Sequence, residues 1–340
     1  MTQSSTDLKI QPLFLMGFGG VGRALARQIL GARTLHARRN GLRLQIVGLA
    51  DSAGVYVDPQ GIPDVRLLEL LELKTRTGKL GVAQIALSTA HLETLLPEKA
   101  IIADTSATDQ TVPLLLEARQ RRWGIVLANK LPLAGDITWF DGITAAPARW
   151  ETTVGAALPV ISTLNVLLDS GDEILRIEGS LSGTLGYIAS QLEVGVRFGD
   201  AVRDAKQRGY TEPDPRQDLG GLDAARKALI MARMLGYRLE MRDVQVGSLY
   251  PAQMNGLSVD QFLHEVDTLN EPMRQKAAQL ASGGKKLRYA AVVENGACRV
   301  ELTGVDPLSK LGGIRTSDSI VVFTTRQYRE NPLAISGRGA

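Results

Sequence analysis

The first half of the chain alternates short apolar runs with stretches that have the three-to-four-residue periodicity of helices. Apolar runs occupy residues 12–16, 42–50, 100–103 and 124–128, and helical patterns cover residues 21–30 and 112–121. Short, almost continuously apolar runs are typical of strands that are buried on both faces. The pattern therefore predicts a parallel sheet that is covered by helices on both sides.

The pattern changes after about residue 149, where apolar and polar residues begin to alternate. Alternating segments include residues 173–180 and 319–324 and parts of residues 286–293 and 299–303. Alternation at period two indicates strands with one exposed face. We predict an α/β fold in which residues 1–148 form the parallel-sheet domain. Residues 149–336 would form a second, α+β domain with a mixed or antiparallel sheet and helices on one face, and residues 337–340 would begin a return to the first.

Composition and charge exclude several classes of function. Hydrophobic residues make up 44% of the 340 residues and charged residues 22%, which is ordinary for a folded domain with a full core. The net charge of +3 comes without a Lys/Arg stripe, so we expect no nucleic-acid partner. The sequence contains no apolar run of membrane-spanning length. The single cysteine, Cys298, reads as a small buried hydrophobe, and it fits a reducing, cytoplasmic location.

A glycine-rich turn, residues 17–22, lies between the first predicted strand and the first predicted helix. Its sequence, Gly-Phe-Gly-Gly-Val-Gly, matches G-x-G-x-x-G. In this context Gly17 permits the tight turn, Gly19 lets the backbone approach a pyrophosphate, and Gly22 allows the helix to pack closely on the strand. The helix N-terminus then faces the phosphates. The turn predicts a Rossmann-type dinucleotide site, although a glycine-rich turn without a ligand is the alternative.

Asp51 follows the second predicted strand, where an acidic residue can accept hydrogen bonds from the ribose hydroxyls of NAD. It lies further beyond the glycine turn than is usual, and it could instead be a solvated turn residue. Asp51 would favour NAD over NADP, although Lys74 or Arg76 could fold back onto the 2′-phosphate of NADP. The sequence therefore leaves the choice between NAD and NADP open.

Residues 209–227 form an acidic, proline-containing segment that leads into a helix predicted for residues 222–235. Asp223 and Lys227 are four residues apart and project from one face of that helix. They share an arc with the apolar residues Ile230, Met231 and Met234, whereas Arg226 and Arg233 mark the solvent face. A solvated ion pair is the simple interpretation. A charged pair among apolar neighbours is costly unless it is used, which favours a functional pair.

The same segment resembles the signature of homoserine dehydrogenases, Gly-Tyr-Thr-Glu-Pro-Asp-Pro-Arg-x-Asp-Leu-x-Gly-x-Asp-x-Ala-Arg-Lys. Other matching motifs follow in order along nearly the whole chain: the glycine turn, Asp104-Thr105-Ser106, Ala128-Asn129-Lys130, and residues 151–159 and 182–188. The resemblance implies an NAD(P)-dependent enzyme of threonine, methionine and isoleucine biosynthesis that interconverts L-aspartate 4-semialdehyde and L-homoserine. It also implies the short monofunctional form and a homodimer made through the second sheet.

The resemblance implies a role for each residue of the predicted catalytic site. Lys227 would be the general acid and base, and Asp223 would orient it and bind substrate. Glu212 would hold the substrate's α-ammonium, and Asp218 would support the acidic side of the pocket. Lys130 would lie beside both the cofactor and the substrate.

The resemblance further implies cofactor contacts and a cation. The cofactor contacts are Phe18, Gly20, Val21, Thr105, Ser106 and Lys130, in addition to the glycines of the turn. The family's glycine-rich closing turn corresponds to residues 336–340, which implies a contact at Gly337 and predicts a C-terminal end that is truncated or short. Backbone carbonyls of Glu151, Val154, Ala156 and Leu158 would hold a monovalent cation such as sodium. A close-packed Gly/Ala turn is the alternative there.

Two other functions compete with this interpretation. A different Rossmann-type oxidoreductase would act on another small aldehyde, but it would not be expected to carry the segment 209–227. An inactive NAD(P)-binding paralogue would have no need of Glu212, Asp223, Lys227 and Lys130 together.

Overall fold

The computed structural model describes residues 8–80, 96–145, 147–314 and 318–338. The chain divides into two compact units, Met1–Trp150 and Glu151–Ala340. Among the described residues, each unit contains one six-stranded sheet. Within these same ranges, none of the helices combines the length and the apolar character that a membrane span requires.

The sheet of the first unit is mostly parallel. Its strands are Lys9–Met16 (β1), Leu42–Asp51 (β2), Gly54–Val57 (β3), Ile101–Asp104 (β4), Gly124–Leu127 (β5) and Ala148–Arg149 (β6). Their order is β3-β2-β1-β4-β5-β6, and all neighbours are parallel except β2 and β3. The predicted parallel sheet is confirmed apart from β3. The connection after Asp51 is too short for β3 to run parallel to β2. The chain reverses its direction of travel between β1 and β4, where ligands of such sheets bind.

The helices of the first unit cover the parallel strands. They are Gly20–Asn40 (α1), Asp64–Thr77 (α2), Val112–Gln120 (α3), Leu131–Ala134 (α4) and Ile137–Thr144 (α5). Helix α1 is ten residues longer at its C-terminal end than the pattern predicts, and it ends at Gly41 in the left-handed conformation with φ +58°. The core packs apolar side chains of α1 and α2 against β1 and β2.

The second unit contains a mixed sheet, as predicted. Its strands are Ile174–Ser180 (β7), Gln245–Val246 (β8), Lys286–Glu294 (β9), Ala297–Val305 (β10), Asp318–Thr325 (β11) and Leu333–Arg338 (β12), in the order β12-β11-β7-β9-β10-β8. Only the pairing of β10 with β8 is parallel among these. Residues 337 and 338, expected to begin a return to the first domain, instead continue β12, where Gly337 lies opposite Ser319.

The α-helices of the second unit are Val160–Asp169 (α6), Gly183–Glu193 (α7), Phe198–Gln207 (α8), Arg216–Leu219 (α9), Leu222–Met234 (α10), Val259–Glu265 (α11) and Asn270–Leu280 (α12). Helices α7 and α10 pack on one face of this sheet, where α7 contacts β9 and α10 contacts both β9 and β10. On the opposite face, which we call the outer face, Ala290, Ile320 and Val322 pack with Leu311. Cys298 is buried on β10, and burial raises the pKa of its thiol to about 12.

Candidate active site

The glycine turn is closed on the protein side and open on the other. Gly17 has a φ of +89°, and a Cβ there would lie 2.4 Å from the backbone nitrogen of Ser106. A Cβ at Gly22 would lie 2.1 Å from the carbonyl oxygen of Gly17. At Gly19 and Gly20, in contrast, a Cβ would meet none of the described atoms within 4 Å. The turn therefore leaves its backbone open to a ligand at the N-terminus of α1, as pyrophosphate binding requires.

The two apolar residues of this turn have opposite surroundings. Phe18 is fully buried in the core of the first unit, and its N–H donates to Ala50 O at 3.1 Å. It can therefore contact a ligand only through its backbone. Val21 is 57% exposed at the start of α1, where its side chain can cover a bound nucleotide.

The carboxyl ends of β4 and β5 are tied together by a buried carboxylate that the sequence did not single out. Asp104 accepts hydrogen bonds from the Ser106 N–H (2.9 Å), the Thr111 hydroxyl (2.7 Å) and the Asn129 amide (3.0 Å). The Thr105 hydroxyl donates a hydrogen bond to Gly17 O of the glycine turn. Asp104 and Asn129 thus position the residues expected to contact the cofactor. The available signal was two polar residues that each follow a short apolar strand.

Lys130 comes directly after Asn129 and is the N-cap residue of α4. Its carbonyl accepts the N–H of Ala134 at 2.9 Å. Lys130, Thr105 and Ser106 are therefore all placed at the carboxyl edge of the first sheet. This edge is where the cofactor of an open α/β sheet is expected.

Asp51 lies at the end of β2, as predicted, but its carboxylate already has three partners. It accepts from the N–H groups of Ala53 (2.7 Å) and Gly54 (3.1 Å) and from the ammonium of Lys74 (2.6 Å). The two N–H bonds shape the turn into β3. Nearby, Arg23 of α1 donates to the Thr75 hydroxyl at 2.8 Å. Lys74, which the sequence suggested could fold back, therefore reaches this strand end from α2 and pairs with Asp51.

Asp223 and Lys227 form a direct ion pair on α10. The Lys227 ammonium lies 2.7 Å from Asp223 Oδ2 and donates to Leu181 O at 2.6 Å. The Lys227 side chain is 17% exposed and that of Asp223 45%, so the lysine is sheltered and the carboxylate faces outward. Gly221, with φ +73°, begins this helix, and a Cβ there would lie 2.1 Å from the hydroxyl of Tyr289.

One expectation for this helix is wrong. Arg233, expected on the solvent face, is buried, and it donates to Leu239 O (3.0 Å) and to the Glu240 carboxylate (3.0 Å). The chain after α10 turns back and supplies these partners. Periodicity assigned Arg233 to a face, but it did not indicate that this part of the face is covered.

Residues 209–221, which we call the acidic loop, bring further carboxylates to the same region. Asp218 accepts the N–H of Glu212 at 2.8 Å, and its other oxygen lies 3.2 Å from the hydroxyl of Thr184. Burial raises the pKa of Asp218, and the negative charges of Glu212 and Asp223 add to the effect. Glu212, Asp218, Asp223 and Lys227 are thus gathered on one side of the second unit. Such a cluster suits a substrate that carries an ammonium group.

The turn expected to hold a cation has an unusual backbone. Gly155 and Ala156 both have positive φ, +81° and +52°. The Glu151 carboxylate accepts the N–H groups of Ile161 and Ser162, each at 2.9 Å, and so caps α6. Gly337 of β12 lies against Leu158 of this turn. The carbonyls of Glu151 and Leu158 each accept one backbone N–H and keep a second lone pair. The turn is chemically suited to a monovalent cation, which stays a prediction.

Comparison with known proteins identifies the family of the chain. A family model for homoserine dehydrogenase matches residues 159–340. A homoserine dehydrogenase of Emericella nidulans is 33% identical over 97% of this chain and 94% of that protein. The chain belongs to the homoserine dehydrogenase family. A putative homoserine dehydrogenase structure from Archaeoglobus fulgidus superposes with a TM-score of 0.76 and 25% identity, covering 97% of this chain and 94% of that one.

Family membership confirms the resemblance that the segment 209–227 carries, and it decides against a different Rossmann-type oxidoreductase. Another relative, the bifunctional aspartokinase/homoserine dehydrogenase 2, chloroplastic, of Zea mays, is 33% identical over 96% of this chain. The chain spans only 36% of the length of that relative.

Proposed function

We propose that the chain is a homoserine dehydrogenase that interconverts L-homoserine and L-aspartate 4-semialdehyde with NAD(P). The observation that carries the proposal is the Lys227 ammonium, held by Asp223 and the Leu181 carbonyl, together with Asp218, which lies near both Asp223 and Glu212. A cationic donor beside several carboxylates matches a substrate that has both a reacting carbonyl and an ammonium.

The chain's own residues divide the chemistry between binding and proton transfer. Glu212, with Asp218 and Asp223 nearby, would bind the α-ammonium of the substrate. An ammonium has three N–H donors, and Lys227 uses two of them on Asp223 and Leu181 O. The third can donate to the aldehyde oxygen as negative charge develops on it, and in the reverse direction the lysine accepts the proton. A bound nicotinamide cofactor would supply or take the hydride.

The first unit would bind the dinucleotide at the glycine turn, with Gly19 and Gly20 against the pyrophosphate. The surroundings of Asp51 favour NADP over NAD. Its carboxylate is already bonded to Lys74 and two N–H groups, and Arg23 adds a second positive charge close by. Two cations and one carboxylate leave this strand end with a net positive charge, which suits a 2′-phosphate, whereas a ribose diol would compete with three existing donors.

Turnover tests the proposal directly. Homoserine oxidation is followed by the absorbance of the reduced nicotinamide, with NAD and NADP in parallel. Lys227→Ala should lower kcat by roughly 10²–10⁴-fold, the usual loss for a general acid and base, with NADP binding unchanged. Arg226→Ala, on the same helix but beside the pair, should retain turnover. NADP binding without any homoserine turnover by the wild type would instead identify an inactive paralogue.

Two further elements belong to the proposal. The family resemblance implies a homodimer through the second sheet, and we propose that its contact lies on the outer face of that sheet. The carbonyls of Glu151, Val154, Ala156 and Leu158 would hold a sodium ion and so stiffen the turn that leads into α6. Equal turnover in sodium and in a bulky organic cation would remove the cation from the proposal.

A further inference from the structure

The Arg216 side chain donates hydrogen bonds to a carboxylate and to backbone carbonyls, none of which belongs to the residues expected to bind substrate. Its Nε and one terminal nitrogen donate to the two carboxylate oxygens of Asp214, at 2.9 Å and 2.8 Å. Its other terminal nitrogen, which has two N–H groups, lies within hydrogen-bond distance of the carbonyls of Met254 (2.9 Å), Asn255 (3.0 Å) and Leu257 (2.7 Å), so one N–H is shared between two acceptors. The side chain is only 12% exposed. One guanidinium therefore joins the acidic loop to the 3-10 helix Ala252–Gly256 and the residue after it.

The Arg216 guanidinium also packs on the core of the second unit. The Arg216 guanidinium lies over the ring of Phe262, 5.4 Å from its centroid, and Phe262 of α11 is fully buried. Tyr250 packs edge-on against the same ring and donates its hydroxyl proton to Asn255 at 3.0 Å. The acidic loop is thus attached to a rigid part of the second unit.

The same arginine is close in sequence to the groups that would bind substrate. Arg216 is the first residue of α9, which also carries Asp218. Asp218 in turn accepts the N–H of Glu212. The stretch between these two acids is therefore held by two contacts, one within the loop at Asp218 and one to residues 254–257 through Arg216. Glu212 itself is exposed, so its position depends on how this stretch of backbone is held.

We propose that Arg216 is a positioning residue for substrate recognition, which fixes Glu212 and Asp218 by clamping the acidic loop to residues 254–257. The inference rests on the proposed function. A displacement of about 1 Å in a substrate-positioning group can cost on the order of 100-fold in rate, so such a clamp matters without any contact to substrate.

The clamp requires an arginine. The planar guanidinium donates to a carboxylate through one edge while it donates to three carbonyls through its other terminal nitrogen. Lysine carries three donors on one nitrogen and cannot reach both groups at once. Arg216→Lys therefore keeps the charge and removes the geometry.

Steady-state kinetics with Arg216→Lys test the proposal. We expect KM for homoserine to rise about tenfold or more, with a smaller fall in kcat and an unchanged Kd for NADP. Arg288→Lys is the matched control, because Arg288 also donates to one carboxylate, that of Glu193, and to backbone carbonyls, those of Leu287, Leu311, Gly312 and Ile314. It should lower the thermal midpoint without raising KM for homoserine.

Rescue and hydrogen exchange make the test decisive. Millimolar guanidinium ion should restore KM in Arg216→Ala. In Arg216→Lys, amide exchange should accelerate in residues 209–221 and not along α7. That exchange result is expected even if homoserine is not the substrate, so it separates this inference from the proposed function. An unchanged KM with unchanged exchange in the acidic loop would overturn it, as would an equal rise of KM in the Arg288→Lys control.

Discussion

Among single residues, Asp218 combines an expected role in binding with a cost to stability. Its carboxylate is partly buried and lies near Glu212 and Asp223, which raises its pKa above the ordinary value. The native carboxyl thus binds its proton more tightly than the unfolded one. The native state then holds more protons in the window above about pH 4, and its free energy of unfolding decreases as the pH rises through that window.

Asp218→Asn removes this charge and keeps an oxygen for the Glu212 N–H. Relative to the wild type, the free energy of unfolding of the variant should increase between about pH 3 and neutral pH, as measured by urea unfolding. KM for homoserine should rise at the same time. Asp200→Asn is the control of opposite sign, because hydrogen bonds from Arg203 and Arg197 lower the pKa of Asp200. A difference for Asp218→Asn that does not vary with pH would contradict the prediction.

Residues of the candidate site were predictable where one segment carries them. Glu212, Asp218, Asp223 and Lys227 lie within a short stretch whose spacing on a helix and whose resemblance to a family could both be read. Asp104 was quoted only as part of a motif, because its role arises from donors on separate loops and from complete burial. Burial depends on tertiary packing, which a local pattern does not encode.

The role of Arg216 was hidden for the same reason. Its three carbonyl acceptors, on residues 254–257, lie about 40 positions further along the chain. Backbone acceptors also have no sequence signature, since every residue has a carbonyl. Arg233 illustrates the converse error, because a helical face was read as exposed when the following segment covers it.

At the scale of elements, some glycines of the glycine turn are needed for helix packing and others for ligand binding. A methyl group at Gly22 would overlap the backbone carbonyl of Gly17, which cannot move without shifting β1. A methyl group at Gly20 meets none of the described atoms. Gly22→Ala should therefore destabilise the first unit by about 2–4 kcal/mol. Gly20→Ala should leave stability within about 1 kcal/mol and weaken NADP binding about tenfold, because its methyl occupies the open side of the turn.

Thermal unfolding and NADP titration of both variants check this division of roles. If Gly20→Ala binds NADP as tightly as the wild type does, then the open side of the turn is not where the pyrophosphate lies. If Gly22→Ala keeps wild-type stability, then the helix can shift away from β1 more easily than the contact distance indicates.

Strands were predicted well where their apolar pattern is strong and poorly where it is weak. The buried strands β1, β2, β4 and β5 all coincide with apolar runs. The strand β12 was missed, because its sequence, Leu-Ala-Ile-Ser-Gly-Arg, lies at a sheet edge with mostly half-exposed side chains. Helix α1 was predicted too short, since the buried residues lie in its first half and its last turn carries two exposed arginines, Arg38 and Arg39. In both cases tertiary pairing or helix propensity, and not the hydrophobic pattern, sets the boundary.

At the scale of the whole molecule, the outer face of the second sheet carries the proposed dimer contact. Charged side chains of β7, β9 and β10 occupy this face, among them Arg176, Glu178, Glu294, Arg299 and Glu301. Arg176 pairs with Glu178 (2.9 Å) and with Glu294, and Arg299 pairs with Glu294 (2.8 Å). Because these charges are already paired within the chain, covering the face costs less than burying unpaired charges would.

Arg176→Glu tests this surface, because it places a third carboxylate between Glu178 and Glu294. In a twofold-symmetric dimer the change occurs twice in one interface, so its cost counts twice. We expect the wild type to sediment at roughly twice its 36.6 kDa at micromolar concentration. The variant's dimer Kd should rise by about 100-fold or more, since like charges in an interface cost several kcal/mol. Arg197→Glu, at the exposed N-cap residue of α8, should stay dimeric. A wild type that sediments as a monomer would remove the dimer, whereas a fully dimeric Arg176→Glu would place the interface on another surface.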